Sequence, residues 1–281
     1  MGTGPKRWTE ELIAERVKAG RGRGESERYA PWLYVQEFSS KGTQTRVPSF
    51  KLNRTIHLFS YLERALFLYT EFQDNFLGYA EQYPMDRRVT LGAAKSLVLR
   101  HPRYPFNGVP VVTTLDALVT MRGADGSAQH AGWDVKPAAQ LQKPRVAEKL
   151  SLHKAYCRHA GMPHYIFTEN SVSPLVIRNI DWVRMSLPKD GELEATPGLF
   201  TWHLDQMLER LGACRTTPTI THFCGQYDNA HHLERGTGLR VFKLLVWNHR
   251  VPVDMAAQWL EREPIPRPHA QRDAGILRKA A

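Results

Sequence analysis

Hydrophobic positions along this chain change their period several times, and each change marks a predicted element. Glu10–Lys18 predicts a short helix. It ends at Gly20-Arg21-Gly22-Arg23-Gly24, which cannot stay helical because each glycine costs about 1 kcal/mol relative to alanine. From Ile56 the pattern turns helical again: Leu58, Leu62, Ala65, Leu66 and Tyr69 form one apolar stripe, and Ser60 with Glu63 has the form of a capping box. Val109–Met121 is β-branched and apolar and predicts a strand. Arg122–Ser127 has the chemistry of a hairpin loop, and Gly132–Lys136 resumes as a second, antiparallel strand. Val146–Ala160 then predicts a helix and Met162–Thr168 a further strand. That order describes a mixed α/β unit around a central sheet.

The pattern weakens over residues 169–190, punctuated by Pro174 and Pro188-Lys189-Asp190-Gly191, so a domain boundary is expected near residue 170, giving units 1–169 and 170–281. The second unit is mostly helical, with helices expected over Phe200–Leu211, Thr219–Leu233 and Gly238–Asn248. Val251-Pro252-Val253 follows as a wing-like strand, which suggests a helix-turn-helix variant. On that reading Arg240, Lys243 and Arg250 lie near the recognition helix, where DNA contacts are expected. A tail from about residue 262, with Pro264, Pro266 and Pro268, is expected to be flexible.

Composition adds a partner to this picture. The 281 residues carry a net charge of +10, and residues 1–170 hold most of it, with 24 Lys and Arg against 16 Asp and Glu. Clustered positive charge rewards nucleic-acid binding through counterion release, and it equally describes a well-solvated basic enzyme. Arg21 and Arg23, set among glycines, are candidates to reach phosphate oxygens; the simpler reading is a mobile loop with incidental charge. No apolar run is long enough to span a bilayer, and residues 1–20 lack the apolar core of a secretory signal. The three cysteines, Cys157, Cys214 and Cys224, are widely spaced and odd in number, which fits a reducing cytoplasm better than a disulfide framework.

The candidate chemistry lies at Asp116, then Asp134-Val135-Lys136 eighteen residues on, with Glu63 upstream. Residues i and i+2 of a strand project to one face, so Asp134 and Lys136 are expected together, with Asp116 across the hairpin. Mg²⁺ takes oxygen ligands, typically one or two carboxylates with phosphate and water. A neighbouring ammonium can orient the attacking water, help deprotonate it, or neutralise charge developing on a phosphate. Simpler readings stand beside these. Glu63 is also the capping-box glutamate, and Asp134 with Lys136 also describes an exposed strand face. Asp116 in an apolar strand must be partnered or functional, because a buried lone carboxylate is costly.

This array resembles that of the restriction-endonuclease-like nucleases, the PD-(D/E)xK group. The flanking residues are similar to one family within it, the TnsA endonucleases of heteromeric cut-and-paste transposons. The resemblance is carried by Ala14–Gly24, Pro31–Glu37, Leu62-Glu63, Val135–Gln142, Glu148–Leu150, Pro163 and Ile166–Thr168, and more faintly by Cys224, Gln226 and Gly236–Leu245. It implies an α/β restriction-endonuclease-like core with a mixed central sheet, followed by a mostly helical, winged-helix-like C-terminal domain. It also implies that Glu63, Asp116, Asp134 and the carbonyl of Val135 bind one or two Mg²⁺ ions, that Lys136 acts beside the attacking water, and that Glu148 supports the site. Some members of the family carry Gln where this chain has Asp134, so the site here is more acidic, which by charge favours divalent metal. The family cuts the 5′ ends of the transposon, while a TnsB-like DDE transposase cuts and joins the 3′ ends and a TnsC-like AAA+ ATPase regulates both. The partners implied are therefore double-stranded transposon-end DNA and those two proteins.

Cys214, His222, Cys224, His231 and His232 do not follow zinc-ligand spacing, and neither a Walker phosphate loop nor a G-x-S-x-G serine appears. Two alternatives stay open on sequence alone: a stand-alone restriction or repair nuclease, and a non-catalytic DNA-binding protein.

Overall fold

The structure is a computed structural model that describes residues 8–37, 43–187 and 199–267. The expected turn at Pro188–Gly191 and most of the expected flexible tail, from residue 268, lie outside the described residues. The chain divides into two compact units, Met1–Ser171 and Val172–Ala281.

In the first unit α1 (Glu10–Lys18) is capped by Thr9, whose side chain accepts from the Leu12 amide. A two-stranded antiparallel ribbon follows, β1 (Thr45–Ser49) with β2 (Arg54–Leu58), and then α2 (Tyr61–Phe72). The four-stranded sheet is built from β3 (Phe76–Pro84), β4 (Thr114–Arg122), β5 (Ala128–Val135) and β6 (His164–Phe167), adjacent in that order. Its first two pairings are antiparallel and β5–β6 is parallel, so the sheet is mixed, as expected. The parallel pairing needs a crossover, which α4 (Pro144–His159) supplies. A further helix, α3 (Arg87–Ser96), lies between β3 and β4 in the chain and packs on α4.

Several elements depart from the sequence expectation, which also did not foresee α3. The strand expected from Val109 starts only at Thr114, because Pro110 lacks the amide a central ladder requires. The β1–β2 ribbon and β3 carried no clear alternation. In β3 the reason is visible: Glu81 and Gln82 are consecutive buried polar residues, and Gln82 sits at φ 48°. Glu81 tolerates complete burial because Arg54 grips it with two hydrogen bonds, at 2.9 and 2.7 Å, and the His57 amide adds a third at 3.1 Å.

The second unit contains α5 (Pro174–Arg184), α6 (Leu199–Ala213), α7 (Ile220–Ala230) and α8 (Thr237–Trp247). The expected helices are present. The expected wing is not, because Val251–Val253 forms no strand, and among the described residues this unit contains none. The proline at 252 cannot donate to a ladder, which removes the reason to expect one. The position of α8 is also corrected. Val241, Phe242, Leu244, Leu245, Val246 and Trp247 are all buried, and the helix packs against α5, α6 and α7. It is the core of the unit rather than an outward-facing reading helix. Among the described residues no helix is long and apolar enough to cross a membrane.

Candidate active site

Glu63 sits in the first turn of α2, three residues after the N-cap Ser60. Its amide donates to Ser60 Oγ at 3.1 Å, while its own carboxylate accepts from the Phe59 amide at 2.9 Å and from the Ser60 hydroxyl at 3.1 Å. The Ser60–Glu63 pairing that the simpler reading required is therefore present, with the Glu63 carboxylate reaching the Phe59 amide, one residue before the N-cap. Capping does not exhaust the residue, however. Burial, and next the negative charge of Asp116, push its carboxyl from 4.5 up to about 7, against the opposing pull of those hydrogen bonds and of Lys136. An ordinary exposed cap shows no such conflict. Asp116 is close enough for its negative charge to oppose the ionisation of Glu63.

Asp116, near the start of β4, accepts at Oδ2 from the Val135 amide at 2.6 Å and from Lys136 Nζ at 2.7 Å. The same ammonium donates to the Val135 carbonyl at 2.7 Å. Two oxygens from neighbouring strands thus converge on one positive charge, beside Glu63. Burial lowers the Lys136 pKa, but the charge and hydrogen bond of Asp116, then Asp134 and Glu63, outweigh it and raise the net value. Lys136 is consequently a cation throughout the neutral range. It is suited to orienting water and neutralising phosphate charge.

Asp134 is placed differently from its expected partners. Its side chain is fully buried and no hydrogen bond joins it to Lys136. Instead Oδ2 accepts from His153 Nδ1 on α4 at 2.7 Å and from His164 Nε2 on β6 at 2.8 Å, with Oδ1 3.0 Å from the same His153 nitrogen. Burial raises its pKa, but His153, His164 and then Lys136 more than reverse this and hold the carboxyl well below its ordinary value. Lys136 follows β5 directly, its amide bonded to the Phe167 carbonyl at 3.0 Å, and the two side chains differ in their hydrogen-bond partners: Asp134 meets the two histidines and Lys136 meets Asp116.

Glu148 is not joined to this cluster by any hydrogen bond. Its partly exposed carboxylate pairs with Arg145 at 2.6 Å, one turn earlier on α4, so the expected support role is not what the geometry gives. Arg21 is held as well: it pairs with Glu37 at 3.1 Å and lies 4.0 Å from the Tyr34 ring centroid, so it is not free to reach a phosphate. The Gly/Arg loop is a fixed turn, with Gly24 at φ 91° and no room for a Cβ against the Arg28 carbonyl. Arg23 differs from Arg21 in being exposed, with its backbone bridged to Ala30.

In the second unit the three expected DNA-contacting residues are all engaged internally. Arg240 donates to the Ser186 carbonyl at 3.0 Å and covers Phe200. Lys243 lies 3.7 Å from the Trp182 ring centroid, and burial lowers its pKa. Arg250 pairs with Asp205 at 3.0 Å. They brace α8 because α8 is buried, which sequence periodicity alone did not convey.

His153, His164 and Tyr79 were not anticipated. The Tyr79 hydroxyl is buried without a partner, and burial, then Glu63, Glu81 and Asp116, raise its pKa well above the ordinary value. His153 and His164 carried a signal in retrospect: a polar side chain amid the apolar positions of α4, and another opening β6.

Residues 73–169 match the family described as TnsA-like endonuclease, N terminal, and residues 172–255 match TnsA endonuclease, C terminal. The Tn7 transposition protein TnsA of Escherichia coli is 35% identical over 241 residues, which cover 86% of this chain and 85% of that relative. With the mixed sheet, the carboxylates of α2 and β4 and the lysine after β5 in place, the conclusion is direct: this chain belongs to the TnsA endonuclease family.

Proposed function

We propose that this protein is the Mg²⁺-dependent strand-cutting subunit of a heteromeric cut-and-paste transposase. It hydrolyses phosphodiester bonds at the 5′ ends of the element in the cytoplasm. A TnsB-like DDE transposase processes and joins the 3′ ends, and a TnsC-like AAA+ ATPase regulates the assembly. The first unit is a restriction-endonuclease-like core on this reading, and the helical second unit serves partner or DNA contacts without a wing. Arg23 remains a candidate phosphate contact.

The observation that carries the proposal is the Lys136 ammonium clasped between Asp116 Oδ2 and the Val135 carbonyl beside Glu63. Two hard oxygens already turned to a cation, next to a carboxylate whose ionisation a nearby negative charge resists, form a donor set that fits Mg²⁺. Glu63, Asp116 and the Val135 carbonyl would hold the ion. When bound, it supplies a polarised phosphate and a more acidic water. The chain's own residues do the rest. Glu63 is kept in line by its Ser60 and Phe59 hydrogen bonds. Lys136 donates to the attacking water or a phosphate oxygen and offsets charge in the transition state.

Cleavage of DNA carrying transposon ends tests this, with and without Mg²⁺ and with and without a TnsB-like partner. Cutting is expected to need both, and Asp116→Ala and Lys136→Ala are expected to abolish it. Cutting without the partner would make the protein a stand-alone nuclease, and full activity in either variant would refute the site.

A further inference from the structure

Asp134 stands at the position where an acidic metal ligand is expected, yet every feature of its surroundings draws it elsewhere. Its carboxylate has no exposed surface, and two imidazole nitrogens, at 2.7 and 2.8 Å, meet at one of its oxygens. Each ring must present an N–H to the carboxylate, which fixes both tautomers and both ring orientations. Joining a cation would mean breaking these hydrogen bonds inside the core. The three side chains also come from three elements: β5, the middle of α4, and the first residue of β6.

The place of this cluster in the chain matters more than its strength. Asp134 immediately precedes Val135, whose amide is fixed on Asp116 and whose carbonyl receives Lys136. On the other side of β5, the register sets Gly132 against His164 and Asp134 against Ile166. The clamp therefore pins the last residues of β5 to α4 and β6 at the point where the strand delivers Val135 and Lys136 to the site.

Resting on the nuclease reading above, we propose that His153 and His164 are positioning residues for cleavage. They hold Asp134 out of the cation's ligand set and use it as a buried anchor that fixes the Val135 carbonyl and Lys136. The ligand set is then Glu63, Asp116 and the Val135 carbonyl, and the extra acid at 134 is matched by two histidines rather than by metal. This gives His153 and His164 a part in the chemistry although neither reaches the substrate.

The test separates ligand from anchor by measuring metal binding apart from turnover. Mn²⁺ affinity is read by electron paramagnetic resonance on wild type, Asp134→Asn, His164→Gln and His164→Leu in the full chain. Turnover per folded molecule is read at saturating Mg²⁺ with the partner transposase present. Loss of a partner that orients a site typically costs about 10–100-fold in activity, and that fall is expected for Asp134→Asn and His164→Leu. Mn²⁺ affinity is expected to fall to a similar extent in Asp134→Asn and His164→Leu, since each loosens the Val135 carbonyl and neither removes a ligand on this account. His164→Gln retains an N–H toward Asp134 and is expected to recover much of the activity lost in His164→Leu. Such recovery would not follow from a merely structural role. If Asp134→Asn does not fold, the two His164 variants carry the comparison by themselves. A loss of Mn²⁺ affinity at least tenfold greater in Asp134→Asn than in His164→Leu, or equal turnover in both His164 variants, overturns the proposal. Wild type that neither binds Mn²⁺ nor cuts overturns the nuclease reading itself and the proposal with it.

Discussion

Glu63 offers a direct check on the electrostatics of the site, through the replacement Glu63→Gln. Glutamine keeps the geometry of the cap: its oxygen accepts from the Phe59 amide and its amide group meets the Ser60 hydroxyl. What it removes is the ionisation. In the cation-free protein the carboxyl rises from 4.5 to about 7 because of burial and the Asp116 charge. The sign follows from linkage. Below about pH 4.5 the group is protonated whether the chain is folded or not, and it costs nothing; as pH rises through 7 the folded state must ionise a group it resists ionising, and stability is lost. At about 1.4 kcal/mol for each pH interval between 4.5 and 7, the full loss is about 3 kcal/mol, of which about 2 to 3 kcal/mol falls between pH 5 and 8. Urea unfolding of wild type and Glu63→Gln in a chelator, at both pH values, isolates this amount. Wild type should lose that much more stability than the variant on going from pH 5 to 8, and Mg²⁺ should shrink the gap by favouring the charged form. Equal responses of the two proteins to pH, without metal, would show that the two carboxylates do not oppose each other and would remove a support of the site.

Arg54→Met leaves Glu81 buried without its cation, and a loss of about 3–5 kcal/mol in denaturant unfolding is expected. Tyr79→Phe removes a buried hydroxyl that has no partner, so stability should hold or rise by up to about 1 kcal/mol, with a melting scan as the check. Lys243→Gln is expected to lower the melting temperature of the protein while leaving its affinity for duplex DNA, measured by fluorescence anisotropy, unchanged, because the ammonium lies on Trp182 rather than facing solvent.

How far the sequence revealed this molecule depended on whether a residue's environment was local. The cap at Ser60 and Glu63, the β4–β5 hairpin and the α4 crossover are set by near neighbours, and their spacing showed them. Likewise Asp116 and Lys136 flank one hairpin, and the structure brings them within 2.7 Å. Features set at long range did not show. Burial of Glu81 depends on Arg54, 27 residues away, and disguised β3 as an irregular segment. The partners of Asp134 lie 19 and 30 residues further on, so a residue expected to face solvent and metal is in the core. Arg240, Lys243 and Arg250 looked available because charge on a helix usually is; their acceptors and aromatic partners, Ser186, Trp182 and Asp205, come from other parts of the second unit.

Strand-resolved mapping of cut ends tests the central claim most directly. With a DNA carrying both transposon ends, Mg²⁺ and the partner transposase, the wild-type chain is expected to yield breaks on both strands at each end. Asp116→Ala in this chain should leave the 3′-end cuts intact and eliminate those at the 5′ ends. Persistence of the 5′-end cuts in that variant would contradict the assignment of this site to their hydrolysis.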